Sequence, residues 1–337
     1  MRIVYFVLFS LAMTCCTFDP HLDADASTDA APYFPSCASL AATCGADGTD
    51  DCCSTAGQIP GGTFYRSYDV GSDGMYPDMS YPATVSPFLL DKYEVTVGRF
   101  RQFVKAEQGT QKNPPTLGIG ARILNGSSDQ GGWDPNFNTN LAIDTPTLTA
   151  ALACDEQHQT WTDVPGLNEN LPINCVTWYE AFAFCTWDYG FLPSEAEWNF
   201  VAAGGAEQRA YPWSSPAGST AIDCSYANYN INYPDGPPFC NGSSATNRVG
   251  SESSKGDSKW GQSDLGGNVT EWVLDGFGSY SDPCNDCADL TDSNSRVVRG
   301  GDWSNSQTTL RGSSRNYTSP IGNRDPKIGI RCARLAI

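Results

Sequence analysis

Histidine is nearly missing. The 337-residue chain holds two, His21 and His158. Two imidazoles cannot build a multi-histidine iron centre, and His158 is left as the sole candidate base for a Ser-His-Asp or Cys-His catalyst. In DEQHQTW it reads as a surface-loop residue instead. Basic residues are also scarce, 20 Lys and Arg against 38 Asp and Glu, for a net charge of −18. That balance argues against a nucleic-acid partner and against an anionic membrane surface. No phosphate loop and no dinucleotide fingerprint occur. Beyond the N-terminal leader, no apolar run is long enough to span a membrane. The last gap is the most informative. The chain has 14 Cys, yet none lies between Cys287 and Cys332. In that interval RGGDWSNSQTTLRGSSR, from Arg299, carries a Gly-Gly-aromatic turn flanked by arginines, with no Cys, His or Glu.

What is present describes an exported, loop-rich globular protein. Apolar residues make up 40% of the chain, enough for a sizeable core, while 33 Gly and 22 Pro call for irregular backbone. The leader MRIVYFVLFSLAMTCC has an early Arg2, an apolar run from Ile3 to Met13 and then Cys. Residues 1–15 read as a signal peptide, too short for a membrane helix. Cys15 reads as a lipid-attachment site; the alternative is ordinary cleavage to a periplasmic or secreted protein. With no Asp after Cys15, the lipid points to the outer membrane. Export makes disulfides the default for the twelve cysteines outside the leader. Cys37, Cys44, Cys52 and Cys53 read as a small disulfide knot, zinc being the competing idea at a spacing that is not a zinc pattern. Cys284 and Cys287, in CNDC, read as a structural loop bridge, because acidic neighbours raise thiol pKa and work against a redox pair. Cys154 and Cys175 belong to the same twelve.

Along the chain, residues 16–36 are acidic, small and proline-containing, and read as a flexible tether. The knot occupies 37–56 and the main domain 57–337. GQIPGGTFYRSYDVG opens the domain with a strand. PFLLDKYEVTVGRFRQFV passes from strand to helix, with Val97, Phe100, Phe103 and Val104 on one helical face. Residues 109–170 show no sustained period and read as long ordered loops or an insertion. Thr177 with Glu180, and Ser194 with Glu197, form capping boxes that start two helices. Trp178, Ala181, Phe182 and Cys185 share one face of the first, and Gly204 supplies the left-handed exit of the second. These elements make an α+β domain.

Five segments, in order across 57–337, carry a resemblance: GGTFYR with DKYEVTVGRFRQFV; NCVTWYEAFAFCTWDYGFLPSEAEWNFVAAGG with YPWS; DLGGNVTEWVLD; RVVRGGDW; and IGIRCAR. The chain resembles the formylglycine-generating enzyme, or sulfatase-modifying factor, family, in its Cys-rich exported branch. The resemblance implies a compact α+β fold related to C-type lectins, and a Cys185–Cys332 bridge. It implies an oxidase that converts a sulfatase Cys to formylglycine with molecular oxygen, using two cysteines that hold copper(I). Soft thiolates suit that ion. Carried over without gaps, the two positions are Asn305 and Leu310, and neither binds copper(I). The resemblance also implies structural calcium held by the side chains of Asp264 and Glu271 and the carbonyls of Gly267 and Val269, all oxygen donors. A second calcium site would use Asn228 and the Tyr229 carbonyl, but its partner loop, YPDGPPFCNGSS, departs from the family pattern and is read as holding a Cys224–Cys240 bridge.

Three function classes follow. An active formylglycine-generating oxidase has the scaffold and lacks the thiolates. A binding module would use the former cleft, with Trp303, Asn305, Ser306, Gln307, Arg311 and Arg315 facing an exported protein, a peptide or a glycan, although Arg315 and Arg331 also read as ion-pair partners and Trp303 as core. A structural cell-surface lipoprotein would touch the membrane only through its lipid. The expected reading is the binding module, a pseudoenzyme with calcium and without copper.

Overall fold

The strands of this protein are short, and hydrogen-bonded loops carry much of the chain. The computed structural model describes residues 34–242, 244–291, 294–318 and 320–336. The signal peptide, Cys15 and the tether up to residue 33 lie outside the described residues. In chain order the elements are β1 (Gly62–Tyr65), β2 (Pro82–Val85), β3 (Phe88–Leu90), α1 (Val97–Lys105), β4 (Arg122–Leu124), β5 (Ser127–Gln130) and α2 (Thr145–Ala151). There follow α3 (Trp178–Trp187), α4 (Glu195–Ala202), β6 (Thr270–Gly276), β7 (Arg296–Arg299), β8 (Asn316–Thr318), β9 (Ile328–Gly329) and β10 (Ala333–Leu335). The central sheet has the order β8-β7-β6-β9, with β6 antiparallel to β7 and parallel to β9. β10 returns to pair with β3, near the start of the domain.

Local chemistry sets the helix starts. Thr96 caps α1, accepting from Arg99 N at 3.3 Å. The face of Val97, Phe100, Phe103 and Val104 is buried, and both Phe rings meet Phe184 of α3, at 5.5 and 5.6 Å between centroids. Both capping boxes form: Thr177 with Glu180 at α3 and Ser194 with Glu197 at α4. Gly204 leaves α4 with φ +64°. The expectation of a single buried face on α3 needs correcting, since every residue from Trp178 to Thr186 is buried. The helix runs through the core, as its nearly uniform apolar sequence requires.

Two further expectations change. Residues 109–170 are not only loops: they hold the β4–β5 hairpin, turned by Asn125-Gly126 at positive φ, and α2, capped by Asp144. The flexible tether also ends before residue 36. Phe34 is buried under the Arg334 guanidinium, 3.7 Å from its centroid, and Ser36 donates its backbone N–H to Asp188 at 2.9 Å and accepts from Arg99 Nε at 3.0 Å. The knot, bridged Cys37–Cys53 and Cys44–Cys52, is anchored to the same body.

Candidate functional site

After β7 the chain turns through Gly300 and Gly301, at φ +93° and +70°. A Cβ on Gly300 would meet the Leu265 carbonyl oxygen at 3.1 Å, and one on Gly301 the Leu310 side chain at 3.1 Å. Only glycine accommodates both the angle and the approach. Asp302 locks the turn by accepting from Ser304 N at 2.8 Å, Ser304 Oγ at 2.6 Å and Thr270 Oγ1 at 3.3 Å. Burial pushes its carboxyl pKa up despite these bonds. Asn305 closes the loop, its Oδ1 accepting from Asp302 N at 3.2 Å and its N–H donating to Asp302 O at 3.0 Å.

The two positions that the family gives to copper-binding cysteines are therefore put to other uses. Asn305 is a turn-closing amide. Leu310 is 0% exposed and packs in an apolar cluster with Tyr211, Trp213 and Tyr229. Over the turn, Thr270, Gly300, Gly301, Asn305, Thr309 and Asn316 enclose only about 10 Å³. That is room for about one water. No described cysteine offers a thiolate. Six bridges join Cys37–Cys53, Cys44–Cys52, Cys154–Cys175, Cys185–Cys332, Cys224–Cys240 and Cys284–Cys287.

The residues expected to line the former cleft are mostly committed elsewhere. Trp303 is 4% exposed, stacked on His158 at 5.0 Å and met edge-on by Phe239 at 5.9 Å, and its Nε1 has no partner among the described residues. Ser306 Oγ lies 2.7 Å from Thr308 Oγ1, and the Gln307 carbonyl accepts from Tyr211 OH at 3.1 Å. Arg311 is not a cleft residue: it is buried, paired with Asp69 at 3.2 Å and with Asp73. Nor does Arg315 line the small cavity, for Glu195 holds it at 2.8 and 2.9 Å through two nitrogens. His158 is half-buried rather than a free loop residue, its Nδ1 3.0 Å from Asp155 Oδ1. The Asp155–His158 spacing foreshadows that local pair, but nothing in sequence announces the stack on Trp303, 145 residues on.

The sulfatase-modifying factor enzyme 1-like domain matches residues 49–336. The chain belongs to that family. It is 28% identical over 237 residues to the formylglycine-generating enzyme of Thermomonospora curvata, covering 64% of this chain and 70% of the relative. It is 26% identical over 294 residues to the inactive C-alpha-formylglycine-generating enzyme 2 of Bos taurus, covering 82% and 86%. Among solved structures, PvdO from Pseudomonas aeruginosa matches with a TM-score of 0.54 at 22% identity, over 83% of this chain and 93% of that one. CarF matches with a TM-score of 0.50 at 17% identity, over 84% and 98%. The shared fold is secure, and the relatives of this family member include both active and inactive proteins.

The family's calcium block is strongly acidic here. Glu271 accepts from Arg331 Nε at 2.9 Å, Arg331 Nη2 at 2.7 Å and Trp198 Nε1 at 2.6 Å. Asp264 accepts from Gly250 N at 2.6 Å, and Glu94 from Asn268 Nδ2 at 2.6 Å and Val269 N at 3.2 Å. All three carboxylates are buried, with Arg331 as the guanidinium among them. Burial and the neighbouring Glu252 charge push the Asp264 carboxyl up to about 8, and burial with Asp264 pushes Glu94 well above the carboxylate range. Among the described residues no three Asp, Glu, His or Cys side chains converge as a metal cage. The resemblance would put a cation on Asp264, Glu271 and the Gly267 and Val269 carbonyls, oxygen donors of the kind a hard dication takes, with the Glu271 oxygens already engaged by Arg331 and Trp198. At the second calcium set the Tyr229 carbonyl accepts from Cys240 N at 3.0 Å, and the Asn228 Oδ1 is buried without a partner among the described residues.

Proposed function

We propose that this family member is an exported, non-catalytic binding protein rather than a copper oxidase. One observation carries the reading: the positions of the two metal-binding thiolates hold Asn305, spent on the Gly300-Gly301 turn, and Leu310, buried in the core. Soft-metal chemistry needs a thiolate, and every described cysteine is in a bridge. The six bridges support an oxidising, exported setting, with lipid on Cys15 as the anchor to the outer membrane. The partner is an exported protein, a peptide or a glycan.

An aldehyde assay tests this. Folded, oxidised protein spanning 17–337 is loaded with copper(I) and given oxygen and a CxPxR peptide, and formylglycine is sought by mass spectrometry with aldehyde trapping. We expect no product from protein whose six bridges are verified by peptide mapping. Aldehyde formation would overturn the reading.

Calcium belongs to the same proposal, as a structural ion held by Asp264, Glu271 and the Gly267 and Val269 carbonyls. Saturating calcium is expected to raise the melting temperature of chelator-treated protein by about 3–5 °C, the order set by mass action for ligand in large excess. An identical melt with and without millimolar calcium would remove calcium from the account.

A further inference from the structure

Over the Gly300-Gly301 turn there is room for about one water, and elsewhere the surface holds a row of rings around a guanidinium. Phe277, just after β6, stacks on Tyr317 of β8, with centroids 4.2 Å apart and planes 22° apart. The Arg315 guanidinium lies between Phe277 and Tyr280, 4.8 and 4.5 Å from their centroids. Tyr280 then meets Tyr81 at 4.9 Å. The result is a row: Tyr317, Phe277, Arg315, Tyr280, Tyr81.

The row is braced from beneath. Glu195, buried at the start of α4, grips Arg315 through both oxygens. Arg66 lies over Tyr280 at 4.5 Å, and Tyr280 OH bonds Ser67 Oγ at 2.6 Å. Rings fixed in this way lose little entropy on binding. Yet the outer rings face water, with Tyr317 50% exposed, Phe277 37% and Tyr81 36%. The loop leading to Tyr81 also exposes Met75 and Met79, at 45% and 47%. A contiguous exposed patch of this kind marks an interaction surface more often than a packing accident.

Charge selects the occupant. Two of the segments that carry the row, 71–82 and 277–291, contain Asp73, Asp78, Asp282, Asp286 and Asp289 and no Lys or Arg, and the third supplies Arg315, whose charge Glu195 answers. Asp73 is engaged by Arg311, whereas Asp78 and Asp282 are exposed. Arg315 and Arg66 already cover Tyr280 and one face of Phe277, so it is the exposed rings of Tyr317 and Tyr81, beside the exposed Asp78 and Asp282, that attract cations, through the ring quadrupole and through simple charge. We infer that this row is a docking surface for a cationic peptide, an Arg-bearing extended segment of a partner protein. This rests on the reading that the protein works by binding.

The probe is a labelled octapeptide of alternating Arg and Gly, titrated into the full exported chain by fluorescence anisotropy, beside a Glu-Gly octapeptide and chitohexaose. The Arg peptide is expected to bind and the other two not. Tyr81→Ser and Tyr317→Ser, which change no charge, are each expected to weaken it about fivefold. Asp282→Asn should weaken it and flatten its salt dependence, while Glu107→Gln, at the end of α1, should leave it unchanged. Equal affinity for wild type and the Tyr81→Ser/Tyr317→Ser variant would mean attraction to the overall charge of −18 and would overturn the assignment. Binding of chitohexaose without the Arg peptide, or of neither, would overturn it also. None of these results bears on the aldehyde assay, so this inference and the non-catalytic reading fail separately.

Discussion

Asp188→Ala will lower the unfolding free energy by about 3–5 kcal/mol, the usual cost of leaving a buried charge uncompensated. Asp188 terminates α3 and is fully buried. Its Oδ2 accepts from Arg99 Nη2 at 2.7 Å and Arg334 Nη2 at 2.8 Å, and its carbonyl also accepts from Arg334. Asp91 completes the quartet, 2.9 Å from Arg99 Nη1 and 3.0 Å from Arg334 Nε. Two guanidiniums and two carboxylates are thus balanced out of contact with water. Removing Asp188 leaves two buried guanidiniums to share the single charge of Asp91 and releases the backbone N–H of Ser36, so the anchor of the N-terminal knot loosens too. Burial opposes ionisation of Asp91, but the Arg334 and Arg99 charges outweigh it and hold the carboxyl below its usual range. A carboxyl with a depressed folded pKa stabilises above its unfolded value, about 3.9, and loses that contribution as pH falls through the lower folded value. The quartet is therefore intact at neutral pH, and the loss should be seen in urea melts at pH 7. Lys112→Ala is the contrast: its pair with Asp144 lies at the surface, the Lys side chain 70% exposed, and a change of under about 1 kcal/mol is expected. Equal losses for the two variants would show that the quartet is not a keystone.

How far the sequence could be read depended on the range of the interactions involved. Capping boxes are three-residue signals, and Thr177–Glu180 and Ser194–Glu197 both form. Family segments gave the fold and the expected bridge to the C-terminus. The β4–β5 hairpin was legible in principle, because Asn125-Gly126 is a strong two-residue turn signal, but the polar strand Ser127–Gln130 is exposed throughout and lacks the alternation that marks a strand. The fate of Phe34 was not legible, since its partner, Arg334, is 300 residues away. The same holds for Arg311, which looks like a free cation beside an old cleft, and for the partner of Arg315, which reads as an ion-pair residue as well as a cleft residue but with no partner named. Their carboxylates, Asp69 and Glu195, belong to a loop and a helix far upstream. Missing thiolates could be read directly from the residues at 305 and 310. That Leu310 fills the space as well as lacking the chemistry needed the packing around Tyr211 and Trp213.

The second large effect concerns the bridge between Cys185 in α3 and Cys332 just before β10. Its sequence separation is 147 residues, and both cysteines are fully buried in the main core. In the chain-entropy model, opening so long a loop costs about 4–5 kcal/mol, whereas opening Cys284–Cys287, separated by 3 residues, costs about 1.5 kcal/mol. The double variants Cys185→Ala/Cys332→Ala and Cys284→Ala/Cys287→Ala should therefore separate clearly in denaturant midpoint. Packing adds to the difference. Cys332 lies between Arg331, which holds Glu271, and the start of β10, whose Arg334 holds Asp91 and Asp188. Freeing the terminal segment lets both arginines withdraw, which leaves Glu271 without its cation and leaves Arg99 alone to answer both Asp91 and Asp188. Loss of the long bridge should thus exceed the entropic figure. If the two double variants unfolded at the same denaturant concentration, the C-terminal segment would be held by its ion pairs alone, and the bridge would be redundant with the quartet.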